Sequence, residues 1–235
     1  MADLSSFPIT KRWPASNPDV IQLYSLPTPN GIKISVALEE LGLAYEPHLV
    51  SFSTNDQKSP EFVSLNPNGR IPAIIDPNGP DGKPIGLFES GAILIYLAEK
   101  TGKLMPATAS GRYETLAWVM FQMGGIGPMF GQFGHFFKFA ADKVANNPYP
   151  VERYRDESKR LLGILEERLK GRQWIMGDDY TIADIATFPW VRGVDVGYGG
   201  REALGLDNFP AVMDWLARAS ARPASQRGFN IPKRD

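Results

Sequence analysis

The sequence predicts two parts, a small mixed α/β domain followed by an all-helical one. Three observations predict this. Short apolar, β-branched runs alternate with amphipathic stretches only as far as Thr101-Gly102. Within that region, Arg70-Ile71-Pro72-Ala73-Ile74-Ile75-Asp76, a Gly/Pro-rich turn and Ile85–Phe88 read as a hairpin. Beyond Lys103–Ser110, a stretch of Pro, Ala, Thr and Ser that changes the texture, only helical spacing recurs.

Met1–Asp19 carries several prolines and two aromatic anchors, Phe7 and Trp13, and reads as an extended arm lying on the body or on a partner subunit. Val20–Tyr24 is a short strand, and Pro27-Thr28-Pro29-Asn30-Gly31 is a turn, because two prolines and Asn-Gly cannot continue a strand. Ile34, Ala37, Leu38 and Leu41 keep helical spacing, and Gly42 stops the helix. Tyr45–Val50 is a second strand and Pro60–Leu65 a short helix before Asn66-Pro67-Asn68-Gly69. After the hairpin a helix runs from Ser90 to Lys100, with Ser90 or Glu89 as its N-cap. The order β-α-β-α-β-β-α fits a mixed sheet covered by helices. A strand edge beside a helix N-terminus offers backbone bonds to an extended peptide and N–H groups to its carboxylate.

The expected divisions are an arm over 1–19, an α/β domain over 20–102, a linker over 103–110 and a helical domain over 111–235. In the helical part, Tyr113–Met123 is a helix that Gly124-Gly125-Ile126-Gly127-Pro128 should kink or interrupt. Five phenylalanines at 130, 133, 136, 137 and 139 form a stripe that is either core or the wall of a pocket; at helical spacing core is the commoner reading. Tyr154, Ser158, Leu161, Leu162, Leu165 and Leu169 mark a long helix, Thr181-Ile182-Ala183-Asp184 has the form of a capping box, and Val212, Trp215, Leu216 and Ala219 mark a last helix ending before Pro223.

Composition excludes several functions. The net charge of −1 gives no field to attract nucleic acid or an anionic membrane. No apolar run approaches a membrane span, and Met1–Pro18 lacks the basic start and apolar core of a secretory signal, so a cytoplasmic protein is expected. There is no cysteine, which removes protein-thiol mechanisms and thiolate metal sites; any sulfur chemistry must use a ligand's sulfur. Two histidines, His48 and His135, are too few for a multi-His metal site, and no metal is expected. His48 is given no role, and His135 reads as a core histidine rather than a pocket residue.

These residues together resemble the cytosolic glutathione transferases: a thioredoxin-like β-α-β-α-β-β-α unit, Ile71-Pro72 before a hairpin, Phe88-Glu89-Ser90-Gly91-Ala92-Ile93, and a helical domain with Thr181-Ile182-Ala183-Asp184. The resemblance covers Val20 to Pro223. Pro27-Thr28-Pro29-Asn30-Gly31, Gly124-Gly125-Ile126-Gly127-Pro128, Phe133-Gly134-His135-Phe136 and Glu152-Arg153-Tyr154 resemble the bacterial Nu class of glutathione-dependent disulfide-bond reductases, which bind two glutathiones or oxidised glutathione per site.

The resemblance implies a role for each site residue. Pro72 would be cis and turn the Ile71 backbone toward the cysteinyl unit of glutathione. Ser90 and the helix N-terminus would take the γ-glutamyl carboxylate, and Glu89 its ammonium. Gln57 and Arg70 would contact the tripeptide backbone or its glycyl carboxylate, and Arg153 a second glutathione. Thr28 and Asn30 match the residues at the sulfur, with Gly31 letting the turn come close. Tyr24 and Ser25 are rival donors by analogy with other classes, but Tyr24 lies inside the predicted strand and reads as core. Thr181 and Asp184 read as a structural cap. The implied activity is thiol–disulfide exchange by a bound glutathione thiolate, with conjugation to small electrophiles as the alternative and a non-catalytic glutathione-binding regulator as the third. A homodimer is implied, with small-molecule thiols and disulfides as substrates and neither nucleic acid nor membrane as partner.

Overall fold

β1 (Ile21–Ser25) is buried at every position, so it must be an inner strand. In the computed structural model of the chain, which describes residues 2–233, it lies inside a four-stranded sheet. α1 (Pro29–Leu41) follows it, capped by Thr28 and ended by Gly42 in the left-handed conformation. The crossover brings β2 (Tyr45–Leu49) parallel to β1, with Ile21 opposite Tyr45. α2 (Pro60–Leu65) is capped by Ser59. β3 (Ala73–Asp76) and β4 (Ile85–Phe88) form the antiparallel hairpin, with Ala73 opposite both Tyr24 and Phe88. The strand order is β2-β1-β3-β4. α3 (Ser90–Thr101) then packs against α1.

The arm lies on this unit. Pro8–Lys11 form a 3-10 turn, and Leu4 and Ile9 join Tyr24, Val50, Phe62, Leu65, Ile71, Ala73 and Ile75 in one core. Trp13 Nε1 donates to the Leu49 carbonyl at 3.0 Å, Glu46 accepts the N–H groups of Ser16 and Asn17, and Arg12 pairs with Asp56. Residues of the arm thus pack on the body of their own chain; Met1 falls outside the described residues.

In the helical region α4 (Ala109–Phe121) does not break at the glycines. Gln122–Ile126 form a π-helical turn that carries it into α5 (Gly127–Gly134), and a second such turn spans His135–Phe139. Of the kink or interruption expected there, the interruption is corrected: the extra residue of a π turn is absorbed without ending the helix. α6 (Tyr149–Leu169) supplies the leucine stripe. α7 (Ile182–Arg192) opens on the full capping box of Thr181 and Asp184. α8 (Arg201–Leu204) and α9 (Pro210–Ala221) follow. Only isolated bridges, at Trp174 and Met176, occur in place of strands among the described residues.

One more helix, α10 (Pro223–Gly228), was not anticipated. It returns to α1: Ser35 Oγ donates to the Gly228 carbonyl at 2.7 Å, Arg227 pairs with Glu39, and a Cβ on Gly228 would lie 2.8 Å from Val36. The chain divides into one compact unit of the residues up to Thr101 with those from Pro223 onward, and a second of Gly102–Arg222. The tail assigned to the helical domain on sequence thus belongs with the sheet, and Arg234 and Asp235 fall outside the described residues.

Candidate functional site

Sheet register gathers the expected residues of the first unit. Ala73 begins β3 opposite Tyr24 near the end of β1 and Phe88 at the end of β4. The residues leading from β1 into α1, those preceding β3 and those leading from β4 into α3 therefore leave the same end of the sheet. They are Thr28 and Asn30, Ile71 and Pro72, and Glu89 and Ser90.

Thr28 is an N-cap because extended backbone and a short hydroxyl side chain suit that place. Its Oγ1 accepts from the Gly31 N–H at 3.4 Å. Gly31 is required: a Cβ there would stand 1.9 Å from the Leu26 carbonyl oxygen and 2.6 Å from Ser25 Oγ. Tyr24 is wholly buried in the arm-covered core, stacked on His48 at 4.7 Å, and burial raises its phenol pKa. It does not reach this end of the unit's surface. Ser25 is likewise buried.

The Ile71–Pro72 bond is cis, as the resemblance implied. Asn66, itself buried, shapes the approach: its amide nitrogen donates to the Arg70 carbonyl and its Oδ1 accepts from the Asn68 N–H. Ile71 lies outside the ladder, which begins at Ala73. Gly69, at φ +60°, lies against the 3-10 turn Asp56–Lys58, where a Cβ would meet the Gln57 carbonyl at 3.0 Å. Gln57 and the exposed Arg70 are thus brought close. Gln57 Oε1 is buried without a hydrogen-bond partner among the described residues.

Glu89 is the N-cap residue of α3, since its carbonyl accepts the first helical bond from Ile93. Its φ is +68°, which a side chain rarely adopts, and its carboxylate is exposed. Ser90 is the first helical residue. The hairpin holds this corner in place: buried Asp76 accepts from the Tyr96 hydroxyl at 2.7 Å and pairs with Lys100 at 2.9 Å, tying β3 to α3.

Sequence reasoning missed Lys33. It is 1% exposed, and its Nζ donates to Ser90 Oγ at 3.2 Å. Burial holds its pKa well below the usual lysine range, opposed by the Glu89 carboxylate. A signal was present: Ile32 and Val36 share one face of α1 and Ile34 stands on the opposite one, so the stretch 31–38 between them is buried on both sides, its lysine included.

Arg153 lies in the second unit, exposed on α6, and the structure does not join it to the residues above. Next to it, Tyr154 stacks on Phe136 at 5.7 Å. Phe130 and Phe133 are core, Phe136 and Phe137 half-buried and Phe139 exposed, so the stripe is core only at its start. His135 is exposed beside Phe136, which corrects its reading as a core residue. Among the described residues no group of three or more His, Asp or Glu side chains is placed to hold a metal ion. Among them, too, no helix is long and apolar enough to cross a membrane.

Two family models match the chain: the glutathione S-transferase N-terminal domain over residues 19–99 and the C-terminal domain over 126–223. The chain belongs to the glutathione S-transferase family. Among curated members it is 45% identical to the disulfide-bond oxidoreductase YfcG of Escherichia coli (strain K12), over 88% of this chain and 93% of that protein. A crystal structure of a glutathione transferase from Burkholderia graminis, with two glutathione molecules bound per subunit, matches at TM-score 0.99 and 65% identity, covering 100% of this chain and 98% of that one. A glutathione transferase from Pseudomonas putida, with one glutathione disulfide bound per subunit, matches at TM-score 0.96 and 59% identity over 98% and 99% of the two chains. In this transferase-family chain the thioredoxin-like unit and the helical unit are the expected pair of domains.

Proposed function

We propose that this chain binds glutathione and uses its thiolate to reduce small disulfides. The observation that carries the reading is the pair of helix N-termini at one end of the sheet, each beginning beside a hydroxyl residue, in a chain with no cysteine of its own. Helix N-termini favour anions, each by about 0.3–1 kcal/mol.

In this reading Ser90 and the first turn of α3 receive the γ-glutamyl carboxylate and Glu89 the ammonium. Ile71 pairs its backbone with the cysteinyl unit, and Gln57 and Arg70 hold the rest of the tripeptide. Thr28 accepts from its own helix, so its hydroxyl proton is available to the sulfur, with Asn30 beside it. A free thiol has a pKa near 8.5, and lowering it by about two units takes about 2.7 kcal/mol of differential stabilisation. One hydroxyl donor and a helix N-terminus are of that order.

The thiolate attacks one sulfur of the disulfide, forming a mixed disulfide and expelling the other sulfur as a thiolate, which takes a proton from water. A second glutathione, as thiolate, attacks the glutathione sulfur of the mixed disulfide. Oxidised glutathione forms and the second thiol leaves, so two glutathiones supply the two electrons. Arg153 is the proposed cation for that second tripeptide. The relative named a disulfide-bond oxidoreductase and the structures holding two glutathiones or their disulfide support this choice.

The test is turnover with glutathione against 2-hydroxyethyl disulfide and against an aryl halide. Disulfide reduction should dominate; dominant conjugation would replace the proposal with a transferase. Glutathione uptake without either turnover would make the protein a binding module. A cytoplasmic homodimer is proposed with it, and sedimentation at micromolar concentration showing monomer alone would remove the dimer.

A further inference from the structure

A buried charge that the mechanism leaves unused is Lys33, which lies against the proposed γ-glutamyl subsite. It stands on α1, which packs against α3, and its Nζ lies 3.2 Å from Ser90 Oγ. Burial disfavours the charged form of Lys33 and a nearby anion favours it; in that form the ammonium has three donors and no acceptor, so the serine oxygen accepts in that bond and turns its own proton away from Lys33. A buried cation is costly unless an anion answers it. Glu89 is one such anion, since its carboxylate attracts Lys33, and it sits exposed at the start of the same helix. A carboxylate arriving at Ser90 and the first turn of α3 would be a second.

We propose that Lys33 is a positioning residue for the glutamyl α-carboxylate: it orients the Ser90 hydroxyl from below and places positive charge under the anion. The inference rests on the glutathione reading above and adds which atom group of the ligand Lys33 serves. It also assigns Ser90 two simultaneous duties, accepting from Lys33 and donating to ligand, which a serine hydroxyl can perform together.

Calorimetry on the full chain tests it, comparing wild type and Lys33→Met with two ligands. One ligand is glutathione; the other is the same tripeptide with γ-aminobutyrate in place of glutamate, which keeps the amine and lacks the α-carboxylate. Lys33→Met should weaken glutathione about tenfold or more, the range of a hydrogen bond to a charged group, and should leave the analogue's affinity unchanged. In turnover, KM for glutathione should rise while kcat moves little. Lys33→Gln, which keeps an N–H donor without the charge, carries the comparison if the methionine variant fails to fold, with a smaller loss again confined to glutathione. Equal glutathione binding by wild type and variant overturns the inference, and so does an equal loss for both ligands, which marks Lys33 as merely structural. A wild-type chain that binds neither ligand overturns the glutathione reading itself, and the inference with it.

Discussion

Asp184 in the helical unit and Lys33 in the sheet unit are both buried charged side chains, and the two are held differently. In the helical unit Asp184 accepts from the N–H groups of Ile175 and Thr181, from Trp215 Nε1 at 2.9 Å and from the Thr181 hydroxyl at 3.4 Å. Every one of these donors belongs to the scaffold: a β-bridge loop, a helix start and a core tryptophan. In the sheet unit Lys33 lies against Ser90 and near Glu89, residues at a helix N-terminus that borders the surface. A buried charge ringed by scaffold donors holds a fold together, whereas one placed under a surface helix terminus adds field where a ligand would come. Loss of Asp184 should therefore be felt as stability, and loss of Lys33 as affinity.

The contrast is broken or sharpened most strongly at Asp184. Asp184→Ala leaves several buried donors without an acceptor and should cost about 3–5 kcal/mol of stability, read by chemical denaturation. Glutathione affinity of the remaining folded protein should be unchanged, and a matching loss of affinity would erase the distinction between the two charges.

The next effect is on pH. Burial, outweighing the four donors, pushes the Asp184 carboxyl up to about 6. The folded value lies above the unfolded one, so its contribution is greatest below about pH 4 and is lost as pH rises toward 6, by roughly 3 kcal/mol. Asp184→Asn should lack this slope in thermal unfolding between pH 4 and 7. An identical slope in the variant would assign it elsewhere.

At the sulfur end of the site, Thr28→Ala should lower disulfide turnover about 10- to 100-fold, the worth of one hydrogen bond to a charged group, with glutathione affinity falling less. It also removes an N-cap, at about 1 kcal/mol of stability. Thr28→Ser should keep both functions, and an unchanged rate in the alanine variant would take Thr28 away from the sulfur.

The smallest effect is expected at the arm. Arg12 is partly exposed, and its pair with Asp56 is worth about 0–1 kcal/mol. Arg12→Ala should shift glutathione affinity by no more than about fivefold, as measured by calorimetry. A larger loss would show that the arm sets the position of Gln57.

Much of this was legible in residue order. Turn chemistry located the hairpin, Gly42 ended α1, and Thr181 with Asp184 announced the start of α7, because each signal acts within a few residues of itself. Other features were not legible for the converse reason. Gly124 to Pro128 read as a kink or an interruption, yet a π turn over Gln122–Ile126 carries the helix on into Gly127 and Pro128. His135 read as a core histidine rather than a pocket residue, yet it is exposed.

By itself, then, the sequence determined the two-part plan and the hairpin that carries Pro72, since local propensity and turn chemistry carry that information; the cis bond was implied by the family resemblance alone. Tertiary structure alone decided that α10 returns to α1, that Glu89 takes a left-handed backbone at the head of α3, and that Lys33 is buried beneath Ser90. Those outcomes depend on which surfaces meet across long stretches of chain, and a lysine's surroundings are set by the helices that close over it.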